Sequence, residues 1–346
     1  MLFFRKFFRT MSEITYPFGK TVPTRDAAII VPDVAWLRMP LPYVLNHVNI
    51  WLIKDSDGWC AVDTGATCAV GIQVWENSLR TYRLVKQVVT HAHPDHAGMA
   101  GWLEKKTGAS LWMTHGGYLS ALARLNQWGN YSVGAMVHLF RMHGLDEKRL
   151  DMLASYEGAY RRDCPFLPAT FHGLRDGSDM VIGDDVWEVM TGYGHAVEHA
   201  SFYCRKKKLL LAGDMLLPSI ITNIPVAPAN PEDDPLQDFL DSIRRYRDLP
   251  DDVLVLPAHG RPFTGIQARL DFLESYHRSR IGKVLSVCSI ACTARDIVPV
   301  LFEKGMDEVH QCMFAMGESI AYLNHLEKQG KLARQEREGE IRFVKV

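Results

Sequence analysis

The chain has no run of about 18 consecutive apolar residues, so no transmembrane helix is expected. It has no Cys-x-x-Cys pair. Its seven cysteines, at 60, 68, 164, 204, 288, 292 and 312, are odd in number and scattered. That argues against a disulfide framework and for a reducing, cytoplasmic setting. A large net charge is also missing: 39 Lys and Arg against 40 Asp and Glu leave −1. No global basic field is available to hold a polyanion, which disfavours nucleic acid as a partner. No secretory signal is expected, because residues 1–10 interleave Phe with Arg and Lys and leave only a short, interrupted apolar stretch. Residues 1–20 read as a flexible leader, with Met11 as an alternative first residue. A membrane-surface helix over 1–10 is the competing reading.

What is present fits a globular protein of 346 residues, with 47% hydrophobic and 23% charged residues, enough for one large domain and a small one. Val48–Ile53 and Trp59–Val62 flank an Asp57-Gly58 turn and read as a hairpin. Leu84–Thr90 and Leu111–Thr114 read as strands, and 71–82 and 98–107 as helices, the latter closed by Gly108. Residues 117–170 break this rhythm with aromatics and methionines, among them Trp128, Tyr131 and Tyr156. They read as an inserted helical pair, which is compatible with a lid that shapes a pocket. Strands are expected again at 180–182, 187–190, 201–204, 209–212 and 253–256, with a helix over 236–247. The alternation predicts an α/β class of layered sheets and outer helices.

The central signal is His91-Ala92-His93-Pro94-Asp95-His96, directly after an apolar strand. Four ligand-type side chains within six residues, on a strand-to-helix loop, can turn towards one point. Zinc, iron and manganese accept such nitrogen and oxygen donors. Asp63 in Asp63-Thr64-Gly65, His195 after Gly194, Asp214 after Gly213 and His259 in Pro257-Ala258-His259-Gly260 each follow a predicted strand.

In this pattern the chain resembles the metallo-β-lactamase superfamily over roughly residues 30–265; the six residues match its HxHxDH signature. The resemblance implies an αββα sandwich and two divalent metal ions, zinc first, with iron or manganese as alternatives. It implies that His91, His93 and His195 bind one ion, that Asp95, His96 and His259 bind the other, and that Asp214 bridges them. Asp63 would orient a ligand histidine, and His199 would stand behind the ligands. Tyr193 is a candidate substrate contact. Catalysis would use a metal-bridging hydroxide, with Asp95 and Asp63 as the catalytic carboxylates. His93 stands where redox relatives carry Glu, which favours hydrolysis. The expected substrate is a small thioester, lactone or other ester. A metal-dependent endoribonuclease or phosphodiesterase is the alternative.

The chain divides in expectation into a sandwich domain over 21–266, containing the 117–170 insertion, and a C-terminal module over 267–346. Three helices and a hairpin turned by Glu338-Gly339 suggest a winged helix, resembling the branch that includes β-lactamase-like protein 2. Its third helix carries Asp307, Glu308, Glu318 and Glu327 against Lys328, a poor surface for phosphates. A packing module is expected instead, with a homodimer suggested by the resemblance. Arg205-Lys206-Lys207-Lys208 reads as a solvated turn, with a phosphate anchor as its alternative.

Overall fold

The computed structural model describes residues 14–20, 22–23, 26–303 and 306–346. The leader readings for residues 1–13 lie outside the described residues. Residues 14–20 are docked: Thr15 pairs with Thr264, and the Arg261 guanidinium lies 3.9 Å from the Tyr16 ring centre.

The first sheet runs in sequence order: β1 (Ala28–Val31), β2 (Val34–Pro40), β3 (His47–Asp55), β4 (Gly58–Val62), β5 (Leu84–Val88), β6 (Ser110–Thr114) and β7 (His172–Leu174). Strands β1 to β4 are antiparallel; β4 to β7 are parallel. The parallel crossovers carry α1 (Ala69–Ser78), α2 (Pro94–Ala97) and α3 (Ala100–Thr107). The second sheet holds β8 (Asp179–Ile182), β9 (Asp185–Gly192), β10 (His199–Cys204), β11 (Leu209–Gly213) and β12 (Leu254–Pro257), with only β11 and β12 parallel.

Side-chain alternation sorts these strands into layers. Trp36, Trp51 and Val62 of the first sheet meet Trp187, Phe202 and Leu211 of the second. On the other face of the first sheet, Leu37 and Leu52 pack against Trp75 of α1 and Leu103 of α3. The outer face of the second sheet is covered by α8 (Pro235–Arg244), through Phe239 and Ile243. The result is the expected α/β architecture of two facing sheets between helices. Strand β2 escaped the sequence reading because both its faces are buried, so Val34 to Met39 shows no polar alternation.

Between β6 and β7 the expected helical pair is four helices: α4 (His115–Leu125), α5 (Val133–Met142), α6 (Glu147–Ala154) and α7 (Ala159–Asp163). Gly129, Gly144 and Gly158, with φ of 53°, 84° and 77°, interrupt what the aromatic pattern made look continuous. The C-terminal segment contributes α9 (Ile266–Val287), α10 (Ala294–Leu301), α11 (Val309–Lys328) and the hairpin β13 (Leu332–Arg337) and β14 (Glu340–Lys345). Thr293 caps α10 through a reciprocal capping box with Asp296. Phe140 and Leu150 of the insertion share one core with Met316 of α11 and Phe343 of β14. In the Arg205–Lys208 turn, Lys206 and Lys207 pair with Asp185 at 2.7 and 3.2 Å, and Lys208 with Asp252 at 2.6 Å. Three of its four cations are thus already neutralised, which removes the case for a phosphate anchor there.

Candidate metal centre

Loops at one edge of both sheets bring the His/Asp residues together. Past the end of β5 the chain delivers His91 and His93. Pro94 at the first position of α2 fixes a turn that sets Asp95 and His96 side by side. His195 follows β9, Asp214 follows β11 and His259 follows β12. Gly194 has φ 93°, and a Cβ there would come within 2.3 Å of the Pro235 carbonyl oxygen, so α8 can sit against this loop only with glycine present.

His91, His93, His195 and Asp214 place one donor atom each within 4.8 Å of one another, and Asp95, His96 and His259 do the same. The Asp214 carboxylate stands between the groups. Its Oδ2 is 3.3 Å from His195 Nε2 and 3.5 Å from His96 Nε2; its Oδ1 is 3.4 Å from His259 Nε2. His91 Nε2 lies 3.3 Å from His195 Nε2, and Asp95 Oδ2 lies 3.5 and 3.4 Å from the Nε2 atoms of His96 and His259. Tetrahedral coordination at metal–nitrogen distances of ~2.0–2.1 Å puts neighbouring donors ~3.3 Å apart. These separations therefore match the edges of coordination polyhedra, except His91 Nε2 to His93 Nδ1, which is tighter at 2.8 Å. His96 Nε2 and Asp214 Oδ1 are buried without a hydrogen-bond partner. Buried donors left open in this way are costly unless something else satisfies them. The cluster can bind metal ions.

Four of the five rings are held from behind. His195 Nδ1 donates to the Asn223 carbonyl at 2.7 Å, and His259 Nδ1 to the His47 carbonyl at 2.8 Å. His96 Nδ1 donates to Asp63 Oδ2 at 2.7 Å. His91 Nδ1 donates to Thr90 Oγ1 at 3.0 Å, while that hydroxyl donates to Asp63. With Nδ1 so engaged, the Nε2 atoms of these four rings face the cluster, and each can bind a metal ion once it is deprotonated. Burial, reinforced by neighbouring histidines, holds His91 and His93 well below the ordinary imidazole range. Burial acts the same way on His259, but Asp214 and Asp95 outweigh it and raise that ring to about 10.

Asp63, expected among the catalytic carboxylates, touches His96 and Thr90 and not the centre of the cluster. It adopts φ 66°, a left-handed conformation that Asp tolerates. His199 lies behind Asp214, whose backbone N–H donates to His199 Nε2 at 3.0 Å. Burial lowers His199 to about 3, so the ring is a neutral acceptor. Tyr193 is not drawn into the cluster; it is 42% exposed, with Glu198, Asp176, Arg245 and Asp238 around it.

Sequence reasoning missed His47 and Asn223 because their backbone carbonyls do the work. It also missed a link to the C-terminal segment: Asn223 Nδ2 donates to Glu318 Oε2 of α11 at 2.9 Å, and Arg280 of α9 stands 3.5 Å from Oε1.

Residues 43–259 match the Metallo-beta-lactamase superfamily, and residues 281–346 match the Metallo-beta-lactamase-like, C-terminal domain. The chain belongs to the metallo-β-lactamase superfamily and is a metal-dependent hydrolase by class. It is similar to a beta-lactamase domain protein from Burkholderia ambifaria, with 36% identity, 97% of this chain and 99% of that one covered, and a TM-score of 0.91. A metallo-beta-lactamase family protein from Thermus thermophilus, TTHA1429, shares 25% identity over 92% of this chain and all of its own, with a TM-score of 0.78. The Bacillus subtilis (strain 168) protein described as "Probable metallo-hydrolase YqjP" is 24% identical over 311 residues, which is 86% of this chain and 93% of its own.

Proposed function

We propose that the protein is a dimetal hydrolase of a small acyl substrate, a thioester first and a lactone or other ester next. The observation that carries this reading is the position of Asp214, with one oxygen or the other within 3.5 Å of a histidine from each donor group. His91, His93 and His195 would hold one ion, Asp95, His96 and His259 the second, and Asp214 both, with zinc the first candidate and iron or manganese the alternatives. Two divalent ions there would supply Lewis acidity and a water acidified to a pKa of about 7.

The chain's own residues do the rest. Asp63, Thr90 and the carbonyls of His47 and Asn223 fix the ring orientations. Asp95, whose side chain is 17% open, can take up and return a proton at Oδ2. Asp95→Asn tests that role: a variant with full metal content and full rate removes it. A nucleic-acid substrate is disfavoured, because α11 is buried continuously from Ala315 to Leu326 and cannot enter a groove. No helix among the described residues is long and apolar enough to cross a membrane. Its cysteines are free, which supports a reducing compartment.

The test is thiol release from a panel of acyl-CoA and acyl-glutathione thioesters by zinc-reconstituted protein, with His93→Ala as the blank. Zinc-dependent release that the blank lacks is the expected result. No release from any thioester overturns the thioester reading.

A further inference from the structure

We propose that the helical insertion positions two of the candidate metal ligands, His93 through the Tyr160 hydroxyl and His195 through the Glu198 carboxylate. This rests on the reading of both histidines as ligands and adds the groups that set them. Three of the five cluster rings are held from within the sandwich: His91 by Thr90, His96 by Asp63 and His259 by the His47 carbonyl. His93 is not. Among the described residues its ring has one hydrogen-bond contact, His91 Nε2 at 2.8 Å, which lies inside the cluster. Its setting therefore comes from the backbone that carries it.

That backbone is gripped by the insertion. The Tyr160 hydroxyl of α7 donates to the Ala92 carbonyl at 2.7 Å. The Ala92 carbonyl and the His93 nitrogen share one rigid peptide plane, so a bond to the first fixes the tilt of the second. Ala92 is buried in a small core with Tyr118 and Ala121 of α4, and Tyr160 packs against it. Helix α7 is itself tied on two sides. Its Asp163 carbonyl accepts from the Thr67 N–H at 2.8 Å, and its Arg161 donates to the Leu125 carbonyl at the end of α4 at 2.9 Å. Pro94 follows His93 and restricts the chain on that side.

The loop that carries His195, between β9 and β10, meets the insertion as well. Glu198, three residues after His195, accepts from the Gly116 backbone N–H at 2.8 Å through Oε2. Gly116 lies in the first turn of α4, where backbone donors lack partners inside the helix and a carboxylate is favoured. A Cβ at Gly116 would lie 2.7 Å from Glu198 Cδ, so glycine permits the approach. At the other end of this loop the Tyr193 N–H donates to Ser242 Oγ at 2.9 Å. His195 thus sits between two fixed ends, one of them supplied by the insertion. The insertion is in this way part of the metal centre and not only a cover over it.

The experiment is competition for zinc against a chromophoric chelator, with the full chain. Tyr160→Phe keeps the ring in its core and removes only the hydroxyl. It should weaken zinc binding about 10-fold, the lower end of what an orienting partner contributes. In a His93→Ala background the same change should add nothing. Glu198→Ala should behave likewise, with a loss of about 10-fold in wild type and none in His195→Ala. Glu198→Gln keeps an oxygen for the Gly116 N–H and should retain more affinity than Glu198→Ala. Gly116→Ala should mimic Glu198→Ala and add nothing to it. Cobalt-loaded Tyr160→Phe should show altered visible bands, the signature of a changed ligand geometry. Affinities equal to wild type, unaltered cobalt bands, or losses of equal size with and without the partner histidine overturn the proposal. If His93→Ala and His195→Ala themselves leave zinc binding unchanged, the ligand reading fails and the proposal falls with it. If they weaken it and the Tyr160 and Glu198 variants do not, the proposal alone falls.

Discussion

Replacing Asp63 by Asn changes one charge and almost no volume. Asn tolerates the left-handed backbone that Asp63 adopts, so the turn itself survives. The hydrogen bonding does not. Asp63 accepts from the Thr90 backbone N–H at 2.8 Å on Oδ1 and from His96 Nδ1 at 2.7 Å on Oδ2. An amide has one oxygen. Whichever way it turns, one of these two buried donors meets an NH2 group, which costs about 1–3 kcal/mol. If His96 loses the contact, its ring is no longer held with Nε2 facing the cluster. Loss of such an orienting partner typically weakens metal binding about 10–100-fold, or about 1.4–2.8 kcal/mol. The assay is competition for zinc against a chromophoric chelator, followed by thermal melts at fixed excess zinc. Wild type should gain more stability from zinc than Asp63→Asn, by about the same 1.4–2.8 kcal/mol, because stabilisation follows ligand affinity. Zinc affinity within twofold of wild type would refute the idea that Asp63 works through His96.

Three further outcomes are expected. Glu318→Gln keeps an acceptor for Asn223 and should weaken zinc binding less than Glu318→Ala, in the same competition assay; equal affinities in all three proteins would disconnect α11 from His195. Gly213→Ala would put a Cβ within 2.3 Å of His199 Nε2 at a residue with φ 51°, so a loss of about 1–3 kcal/mol in denaturant unfolding is expected. His143 is held down to about 3, by burial and then by the Arg334 charge, against an ordinary value of 6.5. The unfolded chain therefore binds a proton that the fold excludes, and stability falls as pH drops from about 6.5 towards 3. Metal-free wild type should lose about 1.4 kcal/mol relative to His143→Phe between pH 7.5 and 5.5, and parallel stability curves would show that His143 does not carry this effect.

The fold was legible where local chemistry and burial agreed. Leu84 to Thr90 was readable as a buried strand because an apolar run stops at His91. The start of α10 follows the same local chemistry, because Thr293 and Asp296 satisfy each other's backbone N–H. The seven His and Asp residues could be picked out because each follows an expected strand, but their division into two groups came only from the family resemblance. What could not be read acts through backbone or through distance. Any residue could supply the carbonyls of His47 and Asn223. The insertion misled because its aromatics and methionines follow one another like a continuous helical pattern, while Gly129, Gly144 and Gly158 break it into short helices.

The hydrogen bond from Asn223 to Glu318 also sets an order in time. Glu318 follows His195 by 123 positions in the chain. At synthesis rates of ~5–20 residues per second, its codon is reached about 6–25 s after that of His195. Through this interval both sheets can form and the histidine loops can close, but the strut behind His195 does not yet exist. The hydrogen bond that backs the Asn223 loop forms only when α11 docks. A chain cut short before α11 would carry all seven candidate ligands but lack the Glu318 carboxylate that holds Asn223, so the setting of a loop near the middle of the sequence is completed from near its end.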